Sequence, residues 1–130
     1  MASIFSKIVA GEIPCHKIAE NDQFLAFLDV FPLVHGHVLV VPKKETDYIF
    51  DIENAELAAM ILFAKKISKA IRKAVPCKRI GVTVIGLEVP HAHIHLVPMN
   101  SANDVNFTQE KLNPTKEELA AMAERIKSNL

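Results

Sequence analysis

The chain has 130 residues, 50% of them hydrophobic and 23% charged, a profile that supplies one domain with its own core. Fifteen Lys and Arg balance fifteen Asp and Glu, so no basic field favours nucleic acid or an acidic membrane surface. Cys15 and Cys77 are the only cysteines, and no stretch offers the ~20 apolar residues of a spanning helix; a disulfide scaffold and a helical membrane protein are excluded, and a reduced cytoplasmic setting is expected.

Residues 5–14, FSKIVAGEIP, combine a short apolar face with Gly11 and Pro14 and predict a short helix or turn leading into a strand. Residues 16–21 and 23–29 predict two strands joined at Asn21-Asp22. Residues 29–36 read as a loop punctuated by Pro32 and Gly36, and 37–42, HVLVVP, as a β-rich run that stops at Pro42. From Asp51 to Val75 the period changes: Leu57, Met60, Ile61, Ala64, Ile67, Ile71 and Val75 recur at helical steps. Asp51 or Asn54 is expected to cap this helix, and Pro76 to end it. Residues 80–85 predict a strand, Gly86 opens a loop, and 91–98, HAHIHLVP, form the next strand.

The chain is then polar from Asn100 to Asn113. Thr115 with Glu118 fits a capping box, and Leu119, Met122, Ala123 and Ile126 make a helical stripe behind it. Consecutive strands with few helical crossovers favour an antiparallel α+β sheet. The expected organisation is a single domain over 1–130, its core at about 3–99 and a tail loop with a C-terminal helix at 100–130.

Three of the six histidines, His91, His93 and His95, stand at alternate positions of one predicted strand. Strand side chains alternate, so these imidazoles share a face while Ala92, Ile94 and Leu96 take the other, suited to pack beneath the long helix. Three adjacent imidazoles are expensive to bury without a purpose. A zinc site is one purpose, but residues two apart on a strand are separated by ~6.6 Å. Only a pair converges on one ion, and His37 would have to supply the third ligand. A metal-binding protein using His37, His93 and His95 is therefore the weakest of the alternatives. Nucleophilic catalysis suits the row better: a middle ring attacks while its neighbours orient it and handle charge, and imidazole titrates close to neutral pH.

HAHIHLVP carries the H-x-H-x-H-x-x pattern of the histidine triad (HIT) superfamily, and residues 4–43, with DVFP followed by GHVLVVPK, resemble the N-terminal half of that family element by element. The resemblance covers roughly residues 3–99 and points to the small stand-alone branch that includes nucleoside phosphoramidases. It implies a HIT-like antiparallel five-stranded sheet with one long helix and a C-terminal helix, continued across a homodimer. It implies binding of a purine nucleotide or nucleotide conjugate and attack at the α-phosphorus of a nucleoside 5'-monophosphate derivative, with no metal or cofactor required. By position, His93 is the nucleophile that becomes nucleotidylated, His95 a phosphate contact that stabilises or protonates at the reacting centre, and His91 and His37 supporting histidines. Asp29 matches the acid that meets the ribose hydroxyls, and Phe5, Phe27 and Val30 the apolar base pocket. Backbone N–H groups near Gly86 and Glu88 are placed to offset phosphate charge. A dinucleoside polyphosphate hydrolase and a nucleotide-binding protein with little turnover are the alternatives.

Three departures from the family pattern bear on substrate. Ser3 and Ser6 stand where many relatives carry the C-x-x-C of a structural zinc, so that site is expected to be missing. No asparagine lies between Arg79 and His91; Leu87 holds the usual glutamine position, and Thr83 is a partial substitute for the asparagine. Glu88 replaces a small hydroxyl residue.

Overall fold

A computed structural model of the chain describes residues 2–130. The Ser3 hydroxyl accepts the Ser6 N–H and opens a short helix, α1 (Ile4–Val9). Strands β1 (Lys17–Glu20) and β2 (Phe24–Leu28) form a hairpin, closed where the Asn21 side-chain oxygen accepts the N–H groups of Gln23 and Phe24 at 2.9 and 2.8 Å. Strand β3 (Val38–Pro42) follows, then a long helix, α2 (Asn54–Ala74), then β4 (Arg79–Thr83) and β5 (Ile94–Met99). The terminal helix, α3 (Lys116–Lys127), starts at the reciprocal box of Thr115 and Glu118.

The five strands make one antiparallel sheet in the order β1-β2-β3-β5-β4. Strand alternation sorts residues onto two faces. Phe24, Ala26, Leu28, Val38, Val40, Ala92, Ile94 and Leu96 turn toward α2 and α3 and bury with Met60, Ile67, Ile71, Leu119 and Ile126. Leu25, Phe27, Leu39 and Val41 turn the other way and meet Phe5 of α1. The short α1 covers only part of this second face, and the histidines occupy the rest. Gly36, at φ +94°, lets the loop before β3 press on the end of α2: a Cβ there would stand 2.9 Å from Val75 Cγ2.

Two boundaries differ from expectation. Asp51 does not cap α2; it closes a separate 3-10 turn (Ile49–Asp51), which lets Ile49 and Ile52 both bury, and Glu53 precedes the helix without a side-chain cap. Strand β5 begins at Ile94 rather than His91. The His91 N–H bonds to the Val89 carbonyl and the Ala92 N–H to Thr46, so this stretch has left the ladder. Among the described residues, no helix is long and apolar enough to cross a membrane.

Candidate active site

On the second face lies a cavity of about 360 Å³, bounded by Ile4 and Phe5 of α1, Asp29, Leu39, His93, His95, the 85–89 loop and, from the tail, Phe107 and Lys111. The register brings His95 here: it stands opposite Leu39 of β3 on one side and Thr83 of β4 on the other. Phe5 packs edge-on against His93, with ring centroids 4.9 Å apart, and His93 and His95 follow at 4.8 Å.

The hydrogen bonds assign the protons. His93 Nδ1–H donates to the His91 carbonyl at 2.8 Å, so the Nε2 lone pair of His93 is free. The Leu33 N–H donates to His37 Nδ1 at 3.1 Å, which places the proton of His37 on Nε2. That proton is aimed at His95 Nδ1, 2.9 Å away, and leaves the neutral His95 ring with an N–H at Nε2. His91 is different. Its ring is fully buried, with Nε2–H donating to the Pro42 carbonyl at 2.7 Å and Nδ1 facing the Ser3 hydroxyl at 2.7 Å. Ser3 N–H and Ser6 O–H both donate to Glu45 Oε1 at 2.7 Å, so two serines, Glu45 and His91 tie α1 to the end of β3.

Burial sets the charge state. Desolvation holds His37 down to about 4, helped by the nearby Lys111 charge, and holds His95 down to about 3, helped by His37. His93 is also lowered by burial, although its bond to the His91 carbonyl works the other way. Burial raises Asp29, against the Phe31 N–H that its carboxylate accepts at 2.9 Å. Glu45 is held at about 2 by the Ser3 N–H and the serine hydroxyls.

These shifts carry a stability consequence. The folded histidines bind protons less readily than the unfolded chain, whose reference value is 6.5. Stability is complete above that value and is lost as pH falls, until the folded sites titrate at about 4 for His37 and about 3 for His95. His37 alone is expected to remove on the order of 3 kcal/mol across this window. Urea unfolding at pH 7, 5 and 4 measures it, and a midpoint independent of pH would contradict the buried neutral rings.

Of the residues expected from sequence, Phe5, Asp29, Gly86, Glu88, His93 and His95 line the cavity. Phe27 lies behind Phe5, centroids 5.7 Å apart, as part of the core. Val30 is 45% exposed and is not among the cavity's walls. His37 stands behind His95, and the His91 ring is turned away from the cavity. Phe107 and Lys111 were not anticipated. The tail reads as polar loop, and its one aromatic followed four residues later by a lysine is a faint signal.

Asp29, His37 and His95 form the one trio among the described residues whose ligating atoms lie within 4.8 Å of one another, so Asp29 stands where the sequence suggested His93. Their hydrogen bonds oppose a cation. The Leu33 N–H occupies His37 Nδ1, and ligation through Nε2 would force the ring proton against that donor.

A five-stranded antiparallel sheet with one long helix and alternate histidines is the architecture that the resemblance to the histidine triad proteins implies. The HIT domain family model matches residues 10–102. An adenosine 5'-monophosphoramidase of Schizosaccharomyces pombe is 33% identical over 134 residues, covering 100% of this chain and 99% of that one. An adenylylsulfatase of Arabidopsis thaliana is 37% identical over 100 residues, 73% of this chain and 51% of its own. The crystal structure of a Hit-like protein from Bartonella henselae, described as involved in cell-cycle regulation and solved with an unknown ligand, superposes with a TM-score of 0.87 at 30% identity, over 98% of this chain and 96% of that one. The chain belongs to the HIT family.

Proposed function

We propose that this protein hydrolyses nucleoside 5'-monophosphate derivatives, phosphoramidates among them, through a covalent nucleotidyl-His93 intermediate. The observation that carries the reading is the proton arrangement: His93 presents a bare Nε2, and its neighbour His95 presents an N–H. The His93 lone pair forms a bond to the α-phosphorus as the bond to the leaving group breaks. The leaving group departs with that electron pair and is protonated from water. A second water then cleaves the phosphorus–nitrogen bond and regenerates His93. His95, held neutral by burial and by its neighbour His37, serves as a hydrogen-bond donor to a phosphoryl oxygen rather than as a proton source. Asp29 offers a carboxylate to ribose hydroxyls, and Phe5 an apolar wall to the base. Two of the relatives are named for adenosine 5'-phosphoryl chemistry, with nitrogen bound in one and sulfate in the other, which supports the α-phosphorus as the common centre.

Incubation with adenosine 5'-phosphoramidate is expected to release AMP, and acid quenching followed by intact mass to trap an adenylylated chain. The reading fails if neither product nor adduct appears with amine, sulfate or phosphate leaving groups.

The same reading includes a homodimer joined at β4. This edge strand leaves Val82 56% exposed, and Tyr48, Phe50 and Ile61 are exposed beside it. The opposite edge, β1, is guarded by Lys17 and Glu20. An apolar cleft of about 450 Å³ between β4 and α2 contains no histidine and belongs to this contact surface. Sedimentation is expected to give twice the mass of one chain, and Val82→Lys to halve it. A monomer at micromolar concentration would remove the dimer from the proposal.

A further inference from the structure

The cavity walls include two acids, Asp29 and Glu88, and one cation, Lys111. The buried rings of His37, His93 and His95 add no positive charge at neutral pH. A phosphate placed against His93 therefore meets two carboxylates, and Lys111 is the one cationic side chain positioned to offset them. Lys111 has not been consumed by a partner: among the described residues, no carboxylate lies within 4.0 Å of its ammonium. Its single polar contact is a long one, 3.4 Å to the Phe107 carbonyl, which leaves N–H donors unspent.

The segment that carries it is held in place. The Leu112 N–H donates to the Pro32 carbonyl at 2.9 Å. The Asn106 side-chain oxygen accepts from Thr108 N–H at 3.0 Å and from its hydroxyl at 2.6 Å. The Phe107 ring stands edge-on to His95, centroids 4.7 Å apart, and to His37 at 6.2 Å. Lys111 thus sits on an anchored strap across the histidine face. It also borders an open depression that continues outward past Asp29, Phe31, Glu88 and Gln109.

We propose that Lys111 is the phosphate-binding residue of this cavity: its ammonium contacts the non-bridging oxygens of a 5'-phosphoryl group and selects phosphorylated ligands over the bare nucleoside. The proposal rests on the nucleotide reading for what fills the cavity, but not on turnover. It assigns to a tail lysine a duty that the departures at Leu87 and Thr83 leave unfilled. A lysine supplies a point charge for this contact, and arginine keeps the positive charge while meeting a phosphate through its planar fork of N–H donors.

Calorimetry with AMP and with adenosine, on the full chain and on Lys111→Met and Lys111→Arg, tests it. Lys111→Met is expected to weaken AMP by about ten- to a hundredfold, the range of a hydrogen bond to a charged group. Adenosine affinity should stay unchanged, and Lys111→Arg should hold AMP within about threefold of the parent. The parent binding AMP without turning over any leaving group, with AMP still lost in Lys111→Met, upholds this assignment while ending the catalytic reading. Turnover in the parent with equal AMP affinity in Lys111→Met overturns the assignment alone. Equal losses of AMP and adenosine overturn it as well, because the lysine then acts through the fold of its strap. A parent that binds neither ligand overturns both readings.

Discussion

His93→Ala is expected to lower kcat toward phosphoramidates by about a thousandfold or more and to abolish the trapped adduct. The size follows from the role: without the ring no nitrogen stands free at the cavity floor, since His95 presents a proton and His37 lies behind it. The fold should tolerate the change. The His91 carbonyl that loses its donor borders the space the ring vacates, beside the cavity that His93 lines, and water there can replace the bond, so the stability loss is expected to stay near ~1 kcal/mol. Steady-state rates, intact mass and a melting curve measured together separate lost chemistry from lost structure. Turnover within a few fold of the parent would sink the assignment of His93.

His91→Ala should act in the opposite sense, on the fold first. This ring is fully buried and joins the Pro42 carbonyl to the Ser3 hydroxyl. Alanine takes the donor from the Pro42 carbonyl and the acceptor from the Ser3 hydroxyl, which keeps only the Ser6 N–H, and opens a void beside Phe5, whose ring centroid lies 5.9 Å from that of His91. A cost of about 3–5 kcal/mol is expected from the cavity and the orphaned polar atoms together. Urea unfolding checks it; a midpoint shift worth less than ~1 kcal/mol would mean the ring carries little of the tie between α1 and β3. The backbone carbonyl at position 91 that accepts the His93 Nδ1–H survives the substitution, so activity should fall only as far as the loosened segment displaces that carbonyl. His91→Asn, able to donate to Pro42, should recover part of the stability and separate the ring's bonds from its bulk.

The period of two in HAHIHLVP was enough to place Ala92, Ile94 and Leu96 under α2 and the histidines on the other face. Asn21 and the pair Thr115 and Glu118 were readable for a similar reason: each acts on backbone within three residues of itself. The resemblance supplied the candidate roles along the triad. Periodicity could not say that the three rings hold different partners. The orientation of His91 depends on the Pro42 carbonyl and the Ser3 hydroxyl, which arrive from distant parts of the chain. Glu45 was invisible for the same reason: the serines that replace a C-x-x-C are answered by a carboxylate met only in three dimensions. The resemblance assigned Val30 to the base pocket; the residue follows Asp29 past the end of β2 and is 45% exposed. Lys111 and Phe107 were hidden because contacts with distant residues, Leu112 with Pro32 and Phe107 with His95 among them, place the tail.

The cavity draws Ile4 and Phe5 from before residue 10 and Phe107 and Lys111 from after residue 102, outside the stretch that the family model matches. All four site histidines fall inside it. Inheritance can therefore act on the two separately. Exchanging only those ends between two relatives is expected to alter ligand preference while leaving the nucleophile in place.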